Sequence, residues 1–186
     1  MEKSKKEFRK KALAKRNQIS KWEREKASGE IVKKIVNLPE YIKAKTVLSY
    51  HPLEGEVNVR EVTKKALDDG KKVYLPKTYG KNERRMDFIR YDNFSQLTKG
   101  DFGVMVPEAG ELFLGGGAFV IVPGAAFDRK GNRMGYGKGY YDGFFGKQTM
   151  LIKAGVCFEG LLYDDIPVDC HDVRMDMVIT ERTIIS

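Results

Sequence analysis

Five consecutive apolar residues, Ala118-Phe-Val-Ile-Val122, approached by Gly115-Gly116-Gly117 and closed by Pro123-Gly124, constrain the fold more than any other segment of this 186-residue chain. A run this short with no polar position suits a strand covered on both faces, as happens when helices pack on either side of a parallel sheet. The segment from Thr46 to Pro76 supplies the matching unit. Thr46 to Tyr50 reads as a strand, Asn58 as the cap of a helix ending at Gly70, and Lys72 to Pro76 as a second strand. Met86 to Tyr91 alternates as a strand near the sheet edge does, and Leu151 to Phe158 and Met177 to Thr180 add two more. The expected class is α/β: a three-layer α/β/α arrangement around a mixed, largely parallel, Rossmann-like open sheet, in one domain over residues 1–186.

Two helices precede the first strand. Phe8, Ala12 and Leu13 recur among charges at helical spacing, which predicts a basic amphipathic helix over about residues 3–18. Ser20 followed by Glu23 is a capping-box signal and opens a second helix to about Val36, with Trp22, Ile31, Ile35 and Val36 expected to face inward. Of a net charge of +8, residues 1–16 carry +6, from eight basic and two acidic side chains. The rest is near neutral, which argues against a broad nucleic-acid-binding face, while a basic arm this localised suits a small polyanion about as well as a phosphate backbone. No stretch is long and apolar enough for a membrane span, and the N-terminus lacks the apolar core of a secretory signal, so a cytoplasmic protein is expected. Cys157 and Cys170 are expected as reduced, mostly structural thiols.

The segment Val122 to Asp142 follows the most buried strand, where open α/β sheets place their ligands. Glycines at 131, 135, 137 and 139 allow tight turns and close approach of backbone N–H groups to an anion, Arg133 and Lys138 add positive charge, and Asp142 offers a carboxylate to a hard cation. Neither standard nucleotide motif matches. A P-loop needs Ser or Thr after the lysine, where Gly139 stands, and G-x-G-x-x-G fails because Asp142 stands where the third glycine belongs. The residues alone leave two readings, a phosphate cradle with its magnesium and a structural glycine-rich turn with solvated charges.

The run Pro123-Gly-x-Ala-Phe-Asp128, then Gly131-Asn-Arg-Met-Gly-x-Gly-Lys-Gly-Tyr-Tyr-Asp142, resembles the signature of the 5-formyltetrahydrofolate cyclo-ligase (5,10-methenyltetrahydrofolate synthetase) family. The resemblance extends to Lys5-Lys-Glu-Phe-Arg9, similar to an N-terminal K-x-x-L-R segment, to Gly55-Glu56-Val57 after the first strand, and to His171, Asp172 and Asp176 near the C-terminus. It implies ATP contacts from Lys5, Lys6, Glu7, Phe8 and Arg9 and from the loop residues Arg133, Met134, Gly135, Tyr136, Gly137, Lys138, Gly139, Tyr140 and Tyr141. It implies folate contacts from His51, Glu56, Tyr136, Gly137, Lys138, Gly139 and Tyr140. Asp142 and Asp172 match magnesium ligands, with Asp176 as an outer partner, and His171 orients the turn.

The implied reaction is ATP- and Mg²⁺-dependent conversion of 5-formyltetrahydrofolate, with or without a polyglutamate tail, to 5,10-methenyltetrahydrofolate, with Lys138 and Arg133 as catalytic cations. Tyr136 departs from the pattern, since an arginine is common between those two glycines. The chain is expected to act as a monomer on a small molecule, with neither nucleic acid nor membrane as partner. Two competing readings remain: a nucleic-acid-binding domain built on the basic arm, and another α/β enzyme, acting on a sugar phosphate.

Overall fold

The structure, a computed structural model, describes residues 2–80, 83, 85–93 and 96–186. Helices α1 (Glu2–Asn17) and α2 (Lys21–Val36) open the chain. Ser20 caps α2 as the sequence predicts: its hydroxyl accepts the Glu23 N–H at 3.2 Å, and the Glu23 carboxylate accepts the Ser20 N–H at 2.9 Å. Ile31 and Ile35 are fully buried, but Trp22 corrects the expectation of an inward ring, being 67% exposed with the Lys26 ammonium 5.1 Å from its centroid. The reason is angular: the nine residues from 22 to 31, at about 100° each, place Trp22 across the helix from Ile31.

After α3 (Pro39–Lys43), strand β1 (Thr46–Leu48), helix α4 (Arg60–Asp68) and strand β2 (Lys72–Thr78) form the expected crossover, with β1 and β2 parallel and Val47 opposite Val73. α4 starts later than expected. Val59 takes the cap position, and Asn58 acts from one residue further out, its Oδ1 accepting the Arg60 N–H at 3.2 Å. At the other end Gly70, at φ +71°, lets the Lys71 N–H reach Ala66 O and its own N–H reach Leu67 O, both at 2.9 Å, which satisfies two carbonyls that the helix leaves open.

The remaining strands are β3 (Met86–Arg90), β4 (Leu97–Lys99), β5 (Met105–Pro107), β6 (Ala118–Pro123), β7 (Ala126–Asp128), β8 (Arg133–Met134), β9 (Leu151–Val156), β10 (Leu162–Tyr163), β11 (Met177–Ile179) and β12 (Ile184–Ile185), with α5 (Tyr140–Phe145) between β8 and β9. The main sheet runs β12-β11-β9-β6-β1-β2-β3. β6, the apolar run, is its fourth strand and is buried at every position, while β3 and β12 close the two edges as antiparallel strands. β10, β7 and β8 form a second, small sheet, and β4 pairs with β5 as a ribbon.

From β1 the chain steps one way along the sheet to β2, and from β6 it steps the other way to β9. Right-handed crossovers in opposite directions put α4 and α5 on opposite faces, which makes the three layers. The two directions diverge between the neighbouring parallel strands β1 and β6. A crevice is thereby forced at their carboxyl ends, where open α/β sheets hold their ligands. Among the described residues no helix is long and apolar enough to cross a membrane.

Candidate active site

Three stretches converge on that crevice. The first is the loop after β1. Tyr50, buried, donates its hydroxyl to Val57 O at 2.8 Å and so ties the two ends of the loop together. Within it Gly55, at φ +86°, turns the chain so that the Leu53 N–H donates to the Glu56 carboxylate at 2.8 Å. Burial raises the Glu56 carboxyl above its ordinary value, and the Tyr136 hydroxyl, the Leu53 N–H and the Arg16 charge offset only part of that. His51 is half-buried on the same loop, and burial, then the Arg60 charge, lower its imidazole.

The second stretch is the glycine-rich loop. β7 and β8 pair as a hairpin whose turn is organised by the fully buried Asp128, which accepts the N–H groups of Lys130 and Asn132, each at 2.9 Å. Gly131 belongs to this framework. Its N–H donates to Asp128 O and its carbonyl accepts the Met175 N–H, so the expected approach to an anion falls to residues 135–139 alone. Arg133 is buried, with Nη2 2.9 Å from Asp142 Oδ2 and its guanidinium carbon 5.2 Å from the Tyr141 ring centroid. Gly137 and Gly139 both take left-handed backbone, at φ +92° and +69°, and present Lys138 between them on the exposed side. Tyr140 and Tyr141 are half-buried at the start of α5, where Tyr141 packs edge-on to Phe88.

The third stretch pairs α1 with the C-terminal segment. Lys5 Nζ contacts the carboxylates of Asp169, at 2.7 Å, and Asp172. Burial alone would lower its ammonium, but the hydrogen bonds and charges of the two aspartates prevail and raise it. Arg9 Nε donates to Gly135 O at 2.7 Å, and Phe8 packs edge-on to Tyr163. Lys6 and Glu7 are exposed to solvent. The Val173 N–H donates to Asp142 Oδ1 at 3.3 Å, so the segments that carry the two expected metal ligands, Asp142 and Asp172, adjoin although 30 residues separate them in the chain. Asp176 instead binds Lys153, accepting its N–H at 2.7 Å and its ammonium at 2.9 Å, and His171 is exposed beside Cys170. The two thiols are free, Cys157 buried and Cys170 exposed.

The first two stretches meet where the Tyr136 hydroxyl donates to Glu56 Oε1 at 2.5 Å. Tyr136 is 39% exposed as a residue, yet the burial its phenol does meet, together with the Glu56 charge, holds that phenol well above its usual value. Below it a cleft lined by Tyr50, Glu56, Pro123, Cys157 and Phe158 lies at the carboxyl ends of β1, β6 and β9. Its free volume, about 10 Å³, has room for one water, so a ring-sized ligand must displace the side chains at the mouth.

The match to known proteins says to which family of enzymes this crevice belongs. Residues 1–181 match the 5-formyltetrahydrofolate cyclo-ligase family. The chain belongs to that family. A probable 5-formyltetrahydrofolate cyclo-ligase of Schizosaccharomyces pombe is 30% identical over 83% of this chain and 84% of that protein. One of Caenorhabditis elegans, also described as probable, is 30% identical over 90% of this chain and 88% of its own length. The NMR structure of Aquifex aeolicus 5,10-methenyltetrahydrofolate synthetase superposes with a TM-score of 0.85 at 34% identity, covering 97% of this chain and 91% of that one. Membership selects the folate-processing reading over the nucleic-acid and sugar-phosphate alternatives.

Two residues of this candidate site carried no motif in the sequence. Asp169, three residues before Asp172, shares Lys5 with it. Arg16 lines the cleft from α1. Its position was readable only as spacing, since Lys5, Arg9, Ala12 and Arg16 share one helix face.

Proposed function

We propose that this chain is an ATP-dependent 5-formyltetrahydrofolate cyclo-ligase that forms 5,10-methenyltetrahydrofolate with release of ADP and phosphate. It would act as a single-domain monomer in the cytoplasm, with the folate, carrying one or more glutamates, and ATP as its small-molecule partners. The observation that carries the reading is the contact between Tyr136 and Glu56, which places a glycine-rich cationic loop against a half-buried carboxylate at one crevice.

The chemistry explains the need for two adjoining subsites. A formamide carbonyl is a weak electrophile and its oxygen a poor leaving group. Transfer of the γ-phosphoryl to that oxygen gives a phosphorylated imidate. The neighbouring ring-side nitrogen then attacks the formyl carbon, the phosphate leaves with the oxygen, and the nitrogen loses its proton. Little covalent work falls to the protein beyond alignment and charge balance.

In this reading Glu56 accepts hydrogen bonds from the pterin amino and ring N–H groups, with His51 beside it on the loop. Lys138, carried on the glycine-flanked turn, balances the phosphoryl oxygens, while Lys5, Arg9 and the loop from Met134 to Tyr141 hold the nucleotide. Lys6 and Glu7, which face solvent, sit at the rim of that set. Arg133, buried against Asp142, acts through the carboxylate it orients.

Asp142 and Asp172 fit a magnesium ion: the donors are hard oxygens, they lie on adjoining segments, and this ion takes one or two carboxylates plus phosphate oxygens and water. When bound, it would offset the charge of the triphosphate.

The test is absorbance in the methenyl-folate band after mixing protein, 5-formyltetrahydrofolate and Mg²⁺ with and without ATP. A rise that requires ATP is expected. No rise from folded protein overturns the reading.

A further inference from the structure

We propose that Arg16 is a further substrate-binding residue, pairing with Glu56 across the cleft to read the donor-and-acceptor edge of the folate's pterin ring. The inference rests on the folate reading above and extends it to a residue outside the glycine loop and the N-terminal Lys5 to Arg9 segment.

The helix delivers cations to successive parts of the site. Lys5, Arg9 and Arg16 lie on one face of α1, and at 1.5 Å per residue Arg16 stands about 10 Å beyond Arg9 and about 16 Å beyond Lys5. Lys5 meets the carboxylates of the C-terminal segment, Arg9 meets the loop carbonyl of Gly135, and Arg16 reaches the folate end beside Glu56. Ala12, fully buried between Arg9 and Arg16, lets the helix approach this closely.

Arg16 is held there by built contacts. Its Nη1 donates to the Tyr136 hydroxyl at 2.8 Å, and its guanidinium carbon lies 5.7 Å from the centroid of the same ring. On its other side the backbone of Gly55 makes room: a Cβ at that position would lie 3.1 Å from Arg16 Nε. With both sides fixed, the Nε–H is left enclosed in the wall of the cleft and makes no hydrogen bond. Buried donors in native proteins are nearly always satisfied, so an enclosed orphan at a ligand cleft marks where a ligand acceptor belongs.

The chemistry of the ligand fits. A pterin lactam edge presents an amino group and a ring N–H as donors, and next to them a carbonyl oxygen as acceptor. Glu56 supplies acceptors for the first two, and the Arg16 Nε–H supplies the donor for the third. Tyr136 bridges the two side chains, accepting from Arg16 and donating to Glu56, and fixes their spacing.

The experiment compares wild-type protein with Arg16→Met and Arg16→Lys by calorimetric binding of 5-formyltetrahydrofolate without ATP, by KM for folate and for ATP, and by Tm. Arg16→Met is expected to weaken folate binding about tenfold or more, the size of a lost hydrogen bond from a charged group, with the KM for ATP within about twofold. Arg16→Lys keeps the charge but loses the planar donor fork, and recovers only part of the loss. A merely structural role would lower Tm or raise both KM values together. Wild-type protein that forms no methenyl product overturns the functional reading. With wild-type activity in hand, an Arg16→Met affinity for folate within twofold of wild type, or a KM rise confined to ATP, overturns this inference alone.

Discussion

Arg133 and Asp142 form an ion pair at 2.9 Å in which the arginine side chain is 4% exposed and the aspartate 21%. The pair joins β8 to α5 across the glycine loop, and it does so with one partner nearly cut off from water. Its two halves are therefore unequal. Removing the aspartate strands a buried guanidinium, whereas removing the arginine leaves a carboxylate that water still reaches.

Asp142→Ala is accordingly expected to destabilise the protein by about 3–5 kcal/mol, the cost of an uncompensated buried charge, and Arg133→Met, which refills the volume, by clearly less. Urea denaturation of both variants decides this, and equal midpoints would remove the asymmetry. Both variants should also lose turnover. In Arg133→Met, added Mg²⁺ should recover part of it, because the carboxylate is still present but less well oriented.

Glu56 sets function against stability. Its carboxyl lies above the ordinary value of 4.5, chiefly through burial, so charging it costs the folded state more than the unfolded chain. The sign follows: this group favours folding most below the ordinary value, and that contribution is lost as pH rises through the higher folded value. Glu56→Gln is then expected to keep or raise Tm at neutral pH while raising the KM for folate about tenfold or more. A large fall in Tm would show that the hydrogen bonds from Tyr136 and Leu53 outweigh the burial cost.

The framework was legible because local rules and tertiary demand agreed. The apolar run at residues 118–122 is the central strand, the capping box at Ser20 is formed, and the glycine at 70 ends its helix. Trp22 was misread because one large apolar side chain outweighed its angular position, and burial follows the angle. At the site, a motif gives residue types but not their partners. It groups Arg133 with Lys138 as two loop cations, yet folding buries the first against Asp142 and leaves the second on the exposed side. Asp169 and Arg16 went unseen because their roles arise from contacts across more than 100 residues of chain, to Lys5 and Tyr136, which no local spacing encodes.

The contact of Lys5 with Asp169 and Asp172 should show in the pH dependence of stability. Lys5 is raised above 10.5, so its contribution is whole below that value and is lost as pH climbs through the folded one. Asp169 is lowered below 3.8 by its hydrogen bond to Lys5, so its contribution is whole above that value and is lost as pH falls through the folded one. The Tm difference between wild type and Lys5→Met should thus be flat between 3.8 and 10.5, at about 2–4 °C, and shrink outside that window. A difference that varies across the middle of the window would assign the pH dependence to other groups. In the assay, the same variant should raise the KM for ATP more than that for folate.

Gly131 and Gly29 separate a glycine the fold requires from one it merely tolerates. Gly131 has φ +83°, and a Cβ there would lie 2.7 Å from Met175 O, in the segment whose Met175 N–H donates to Gly131 O at 2.8 Å. Neither backbone can yield without shifting the stretch that carries Asp172. Gly131→Ala is therefore expected to cost at least about 2 kcal/mol, from left-handed strain plus the clash, and to lower turnover by moving Asp172. Gly29 lies inside α2, where nothing comes within 4 Å of an added Cβ. There the same substitution removes the helix penalty of glycine and should stabilise by about 0.5–1 kcal/mol without touching activity. Thermal melts of the two variants should move in opposite directions from wild type, and a fall in both would mean that α2 at Gly29 packs more tightly than its open surroundings indicate.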